Sequence, residues 1–186
     1  DRPLQPSLDI ALVRIDNRLV HGQLLEAWIP FLKASCIAVV DDLVSADYFR
    51  ETVIRMAVPR EVRVIVSSIA EFSKTYSYRR GDGSKTIVLF SGIKDAYESF
   101  RLGFRFDRLN IGNVFSEDCK LCCTPSVLLN DDDICNMNHL RDEGVRIELR
   151  RVPREKPIDL FEIVRKVQDS SVRNPGVRNS IPARRS

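Results

Sequence analysis

Residues 10–40 read IALVRIDNRLVHGQLLEAWIPFLKASCIAVV, and the architecture can be reasoned outward from them. IALVRI at 10–15 is short, apolar and rich in β-branched side chains, as is CIAVV at 36–40 just before Asp41 and Asp42, so both predict buried strands. Between them, residues 22–33 carry Leu24, Leu25, Trp28, Ile29 and Leu32 at spacings of three and four, the stripe of an amphipathic helix. Strand, helix and strand in this order form a βαβ unit.

The alternation continues. Helices are predicted around 46–57, 69–76 and 93–102, and strands at 62–66, 86–90 and 108–111. Residues 133–143 read as a helix ended by Gly144, and 145–151 alternate apolar and polar residues like a half-exposed edge strand. A last helix over 158–168 has Asp159 early and Arg165 and Lys166 late, matching its dipole. The expectation is an α/β domain, a mainly parallel sheet covered by helices on both faces. It spans residues 9–168, between a flexible N-terminal segment at 1–8 and a flexible, Arg-containing tail at 169–186 that has Pro, Gly and Ser but no periodicity.

With 186 residues, 44% hydrophobic and 30% charged, the chain suits one folded domain with a substantial core. Its net charge of +3 owes much to Arg173, Arg178, Arg184 and Arg185, and the interspersed charges of the body argue against nucleic acid as a partner. No apolar run approaches the ~20 residues that span a bilayer, and the opening DRPLQPSLD lacks a signal-peptide core, so a cytoplasmic protein is expected. Five cysteines, an odd number, are expected to be reduced thiols.

The chemistry concentrates where the first strand gives way to the first helix, in Arg14-Ile15-Asp16-Asn17-Arg18-Leu19-Val20-His21-Gly22-Gln23. In an open α/β sheet, ligands bind at that carboxyl edge. Gly22 lets backbone approach a ligand, and amides at the helix start favour an anion. An imidazole is substantially neutral near pH 7, attacks phosphorus well and yields a labile nitrogen–phosphorus bond. Arg14 and Arg18 are placed to neutralise phosphoryl oxygens, and Asp16 to orient an Arg or the imidazole. On spacing alone, a packing or capping role for His21 is as good a reading.

RIDNRLVHGQ resembles the loop R-I-D-x-R-L-[IV]-H-G-Q of the enzyme IIB subunits of the mannose, fructose and sorbose family of the bacterial sugar phosphotransferase system. The resemblance extends through Trp28, VVDD at 39–42, LF at 89–90, LNIGN at 109–113 and GVRIELRRVP at 144–153. It implies a three-layer α/β/α sandwich and a phosphohistidine at His21, charged by a IIA subunit and discharged onto a sugar substrate carried by IIC and IID membrane subunits. It also implies a protein peripheral to the membrane through those partners, a possible homodimer, and no cofactor. Asn17, Gly22 and Gln23 join Asp16 as loop support, and Ser91, after the strand ending at Phe90, is a further candidate donor to the phosphoryl group. One departure is Gly112-Asn113-Val114, where the family usually has Gly-Gly-Met. A regulatory phosphoprotein that uses the state of His21 to control a partner would need the same loop.

Other signals are weaker. Cys119, Cys122, Cys135 and His139 mimic zinc-ligand spacing, but small cysteines commonly serve as inert packing residues. Arg79-Arg80-Gly81-Asp82-Gly83 lacks the spacing of a phosphate-binding glycine loop and reads as a turn, and Asp131-Asp132-Asp133 reads as the charged start of a helix.

Overall fold

The first strand, β1 (Ser7–Asp16), lies at the centre of the sheet. In the computed structural model, which describes residues 7–79 and 83–173, the chain continues into a helix over 22–32, α1. It then forms β2 (Cys36–Val40), α2 (Asp42–Ser45), α3 (Tyr48–Ala57), β3 (Arg63–Ser67), α4 (Ile69–Thr75), β4 (Ser77–Arg79) and β5 (Lys85–Phe90). α5 (Ile93–Arg101), β6 (Arg108–Phe115), a β7–β8 hairpin (Leu121–Thr124 and Val127–Leu129), α6 (Asp131–Asp142), β9 (Arg146–Leu149), β10 (Ile158–Asp159) and α7 (Leu160–Arg173) complete it.

The strand order is β10-β9-β6-β1-β5-β2-β3, parallel except for β10. Every residue of β2 is buried, because helices cover both faces and leave no side of a central strand to solvent. One face packs Ile37, Val39, Ile87 and Leu89 against Leu24, Trp28 and Ile29 of α1 and Val44 of α2. The other packs Val13, Ile15, Val88, Phe90 and Ile111 against Phe72, Ile93, Phe100, Met137, Leu140 and Leu160 from α4 to α7. This is the expected three-layer sandwich.

Capping chemistry refines the boundaries. The expected helix at 46–57 begins at Tyr48, where Asp47 accepts from the amides of Phe49 and Arg50, and an unforeseen short helix, α2, precedes it. Asn130, rather than the Asp run, caps α6, in a capping box with Asp133. The strand at 146–149 is not the sheet edge, because the short β10 pairs with it. Ser7 and Leu8 already belong to β1, and α7 continues to Arg173, past the expected boundary at 168. Of the flexible segments expected at 1–8 and 169–186, residues 1–6 and 174–186 lie outside the described residues, as do residues 80–82 of the turn.

After β1 the chain moves toward β2 and β3, and after β5 it crosses β1 to reach β6. The carboxyl end of β1 is therefore the switch point of the sheet, with β5 on one side and β6 on the other.

Candidate functional site

Asp16, the last residue of β1, is fully buried and gathers the loop around its carboxylate. Arg18 donates Nε to Oδ1 and Nη2 to Oδ2, both at 2.9 Å, and its backbone amide donates to Oδ1 at 3.1 Å. Arg14 Nη2 reaches Oδ2 at 3.2 Å, and His21 Nε2 reaches the same oxygen at 3.0 Å. Burial alone would raise the Asp16 pKa, but hydrogen bonds from His21 and Arg18 and the charge of Arg14 outweigh it and hold the carboxyl well below its usual range. An ionised carboxylate only accepts, so Nε2 of His21 carries the hydrogen of that bond. The lone pair of a neutral His21 ring then resides on Nδ1.

The backbone that presents His21 is tightly specified. Leu19 adopts a left-handed conformation at φ 55, uncommon for a residue with a bulky side chain. It is held there by its buried side chain and by its amide, which donates to the Asp16 carbonyl at 2.9 Å. Asn17 is tied to β6: its amide donates to the Asn113 carbonyl, and Asn113 Nδ2 donates to its side-chain oxygen. Asn113, part of the departure from the family pattern, thus touches the loop directly.

α1 begins at residue 22, and its amides in the first turn lack partners within the helix. Leu24–Trp28 is a π-turn before the α-helical Ile29–Leu32. Its sequence cause is Pro30, whose ring excludes the carbonyl four residues back from ordinary α geometry. Trp28, buried as the amphipathic stripe requires, donates Nε1 to the Arg151 carbonyl at 2.9 Å. That bond draws the segment after β9 over the site.

Arg14 differs from expectation. It is wholly buried, with Nη1 donating to Asn110 Oδ1 at 2.5 Å and to the Arg150 carbonyl at 2.8 Å, Nη2 donating to the Arg151 carbonyl at 3.1 Å, and its guanidinium 5.1 Å from the Trp28 ring centroid. Its place is beneath Asp16 rather than facing solvent, so it braces the loop and does not meet phosphoryl oxygens in this arrangement. Arg18, by contrast, leaves 44% of its side chain exposed, and His21 15%. Gln23 Oε1 stands 3.5 Å from Arg18 Nη2. Ser91 lies on the same sheet edge, one strand away, with its hydroxyl donating to Asp95 Oδ2 at 3.0 Å.

The support of Arg14 was not legible beforehand. A Cβ on Gly112 would sit 1.9 Å from Arg14 Nη2, so only glycine leaves room for the buried guanidinium. LNIGN is conspicuous in the sequence, but neither the Asn110 acceptor nor the Gly112 space can be read from it. Beside the loop, a groove of about 660 Å³ is lined by Gly22, Gln23, Phe31, Val152, Pro153 and Arg154.

The zinc alternative is not assembled: among the described residues no group of three or more His, Cys, Asp or Glu is placed to hold a metal ion. Cys135 Sγ and His139 Nε2 approach within 3.5 Å on α6, while Cys119 precedes β7 and Cys122 lies on it. No helix among the described residues is long and apolar enough to cross a membrane.

Comparison with known proteins identifies the family. Residues 10–174 match the model of the sorbose subfamily IIB component of the phosphotransferase system. The fructose-specific EIIB component of Bacillus subtilis (strain 168) is 32% identical over 160 residues, covering 86% of this chain and 98% of that protein. The mannose-specific EIIAB component of Escherichia coli (strain K12) is 27% identical over 168 residues, and the chain, 89% of it aligned, spans about half that relative's length, 52%. The crystal structure of the IIBSor domain of the sorbose permease from Klebsiella pneumoniae superposes with a TM-score of 0.76 at 28% identity, covering 86% of this chain and 98% of that one. The chain belongs to the IIB components of the mannose family of the phosphotransferase system, with the sorbose-subfamily IIB fold.

Proposed function

We propose that His21 accepts a phosphoryl group from a phosphohistidine on a IIA subunit and passes it to a sugar carried by IIC and IID membrane subunits. The observation that carries the reading is the anchoring of Nε2 to the buried, ionised Asp16. It fixes the ring, leaves Nδ1 as the nucleophile and provides a negative partner for the imidazolium that forms when Nδ1 bonds to phosphorus. As the new bond forms, the nitrogen–phosphorus bond of the donor breaks and its imidazole leaves.

Arg18 has an exposed guanidinium beside the ring and supplies positive charge to the incoming phosphoryl oxygens, helped by the first amides of α1 near Gly22 and Gln23. Asp16 orients His21, and Arg14 and Asn17 keep Asp16 and the loop in place. Ser91 has to release Asp95 before it can donate to a phosphoryl group, so it is assigned no step. The name of the EIIAB relative supports a IIA partner. By this reading the chain works on the cytoplasmic side of the membrane.

Incubation with phosphorylated IIA tests the assignment. An acid-labile phosphoryl label is expected on the native chain and on His139→Ala, and none on His21→Ala. A label that survives His21→Ala and disappears in His139→Ala contradicts it.

A further inference from the structure

Beside the His21 loop, β1 and β6 depart from regular pairing. Ile15 lies opposite Ile111, but the next residue, Asp16, lies opposite Asn113, so β6 runs through Gly112 and Asn113 where β1 advances by one. A bulge of this kind re-aims a side chain near a site, and the residue passed over is Gly112, pressed against the buried Arg14 guanidinium. Asn113 stands on firm backbone. Gly112 and Val114 on either side of it are buried, the Val114 amide donates to the Ser126 carbonyl at 2.9 Å, and Val114 pairs with Val127 of β8. From that position Asn113 holds Asn17 twice, its carbonyl accepting from the Asn17 amide at 3.0 Å and its Nδ2 donating to Asn17 Oδ1. We propose that Asn113 is a positioning residue for phosphoryl transfer, holding Asn17 so that Asp16 and Arg18 keep the places from which they serve His21.

Asn17 is exposed, so water competes for its polar groups, and its hydrogen bonds among the described residues both go to Asn113. It joins the carboxylate that holds Nε2 of His21 to the guanidinium offered to the incoming oxygens. A slack Asn17 therefore lets both drift. The other ties of this stretch do not replace it. Arg18 and the Leu19 amide bond back to Asp16, which braces residues 16–19 internally, and the Leu19 side chain packs with α1 on one face of the sheet. Asn113 supplies the hold on the β6 side. Charge stabilisation of a transferring group depends on donors already in place, so a small loosening is felt in the rate before it is felt in the fold. An amide does this without adding charge beside the phosphoryl group, which leaves the positive field to Arg18.

This role rests on the proposed function of His21, and two measurements keep them apart. The first is single-turnover transfer from phosphorylated IIA to Asn113→Ala, Asn17→Ala and the double variant, each shown to be folded by circular dichroism. Either single change should lower the maximal rate by roughly 5- to 10-fold, the worth of one hydrogen bond, with half-saturation by IIA shifted less than about twofold. Because Asn113 acts through Asn17, the double variant should be no slower than the slower single one. The second measurement needs no phosphate. Exchange with water of the His21 Nε2 proton, followed by nuclear magnetic resonance, should be several-fold faster in Asn113→Ala than in the native chain, since Asp16 holds that proton less well. A native chain that takes no label on His21 refutes the proposed function instead, and the exchange rate still decides whether Asn113 positions the ring. A native transfer rate in folded Asn113→Ala, effects that multiply in the double variant, or unchanged Nε2 exchange would each overturn the role given to Asn113.

Discussion

Gly112→Ala probes the least visible part of the site. The added methyl would stand 1.9 Å from Arg14 Nη2 and 2.2 Å from its Cζ, so the guanidinium must move. It has nowhere to go, because Asn110, Asp16 and the carbonyls of Arg150 and Arg151 hold it on every side. Overpacking of this kind costs about 1–3 kcal/mol, and weakening a hydrogen bond to a charged group about 1.5–3 kcal/mol more, for a total of about 2.5–6 kcal/mol. At 2–4 °C per kcal/mol for a domain of this size, Tm should fall by about 10 °C. Urea denaturation and scanning calorimetry measure both quantities. Gly22→Ala is the control: no atom lies within 4 Å of its built Cβ, and stability should stay within about 0.5 kcal/mol. The cost of Gly112→Ala should also shrink in an Arg14→Met background, where the colliding group is gone. A Gly112→Ala protein as stable as the native one would refute the packing argument.

Other expectations follow from the same geometry. Because folding lowers the Asp16 pKa, the ionised carboxylate contributes stability in full above its unfolded value of about 4 and loses it progressively as pH falls below that. The stability gap between native protein and Asp16→Asn should therefore narrow in acid, and a gap that is constant from neutral pH to pH 3 would count against the linkage. Arg18→Ala should slow phosphoryl uptake far more than it lowers Tm, since the side chain is half exposed; near-native kinetics in the folded variant would remove it from the site. Burial, with Cys122 and Cys119 close by, pushes the Cys123 thiol up to about 11, and Cys36 is buried, so a maleimide near pH 7.5 should label the exposed Cys122 and Cys135 first. Equal labelling of Cys123 would contradict this. Chelator should leave the transfer rate unchanged, and a rate that collapses with EDTA and returns with Mg²⁺ would show that a metal shares the work.

Much of the sheet was legible because its strands are apolar runs separated by amphipathic stripes, a pattern that two-sided burial imposes on parallel strands. β2 matches its expected bounds, and β5 and α5 fall within a residue of theirs. β4, β7 and β8 escaped notice, since LCCT and VLL are short and flanked by turn residues, and SYR becomes a strand only by pairing with the start of β1. The loop announced its chemistry through residue type: one His, one Asp and two Arg at a strand end. Its geometry was less accessible. Arg14 and Arg18 look equivalent in sequence, yet Arg14 lies within a central strand covered on both faces while Arg18 lies beyond the strand, and only the fold brings Asn110, Gly112 and the carbonyls after β9 around the buried guanidinium.

The central claim is that Asp16 holds Nε2 of His21 and leaves Nδ1 to carry the phosphoryl group. Nuclear magnetic resonance of the chain with ¹⁵N-labelled histidine, recorded before and after phosphorylation by IIA, tests it most directly. The account predicts phosphorus coupling at Nδ1 of His21 alone, with Nε2 still protonated. Coupling at Nε2, or at either nitrogen of His139, would contradict it.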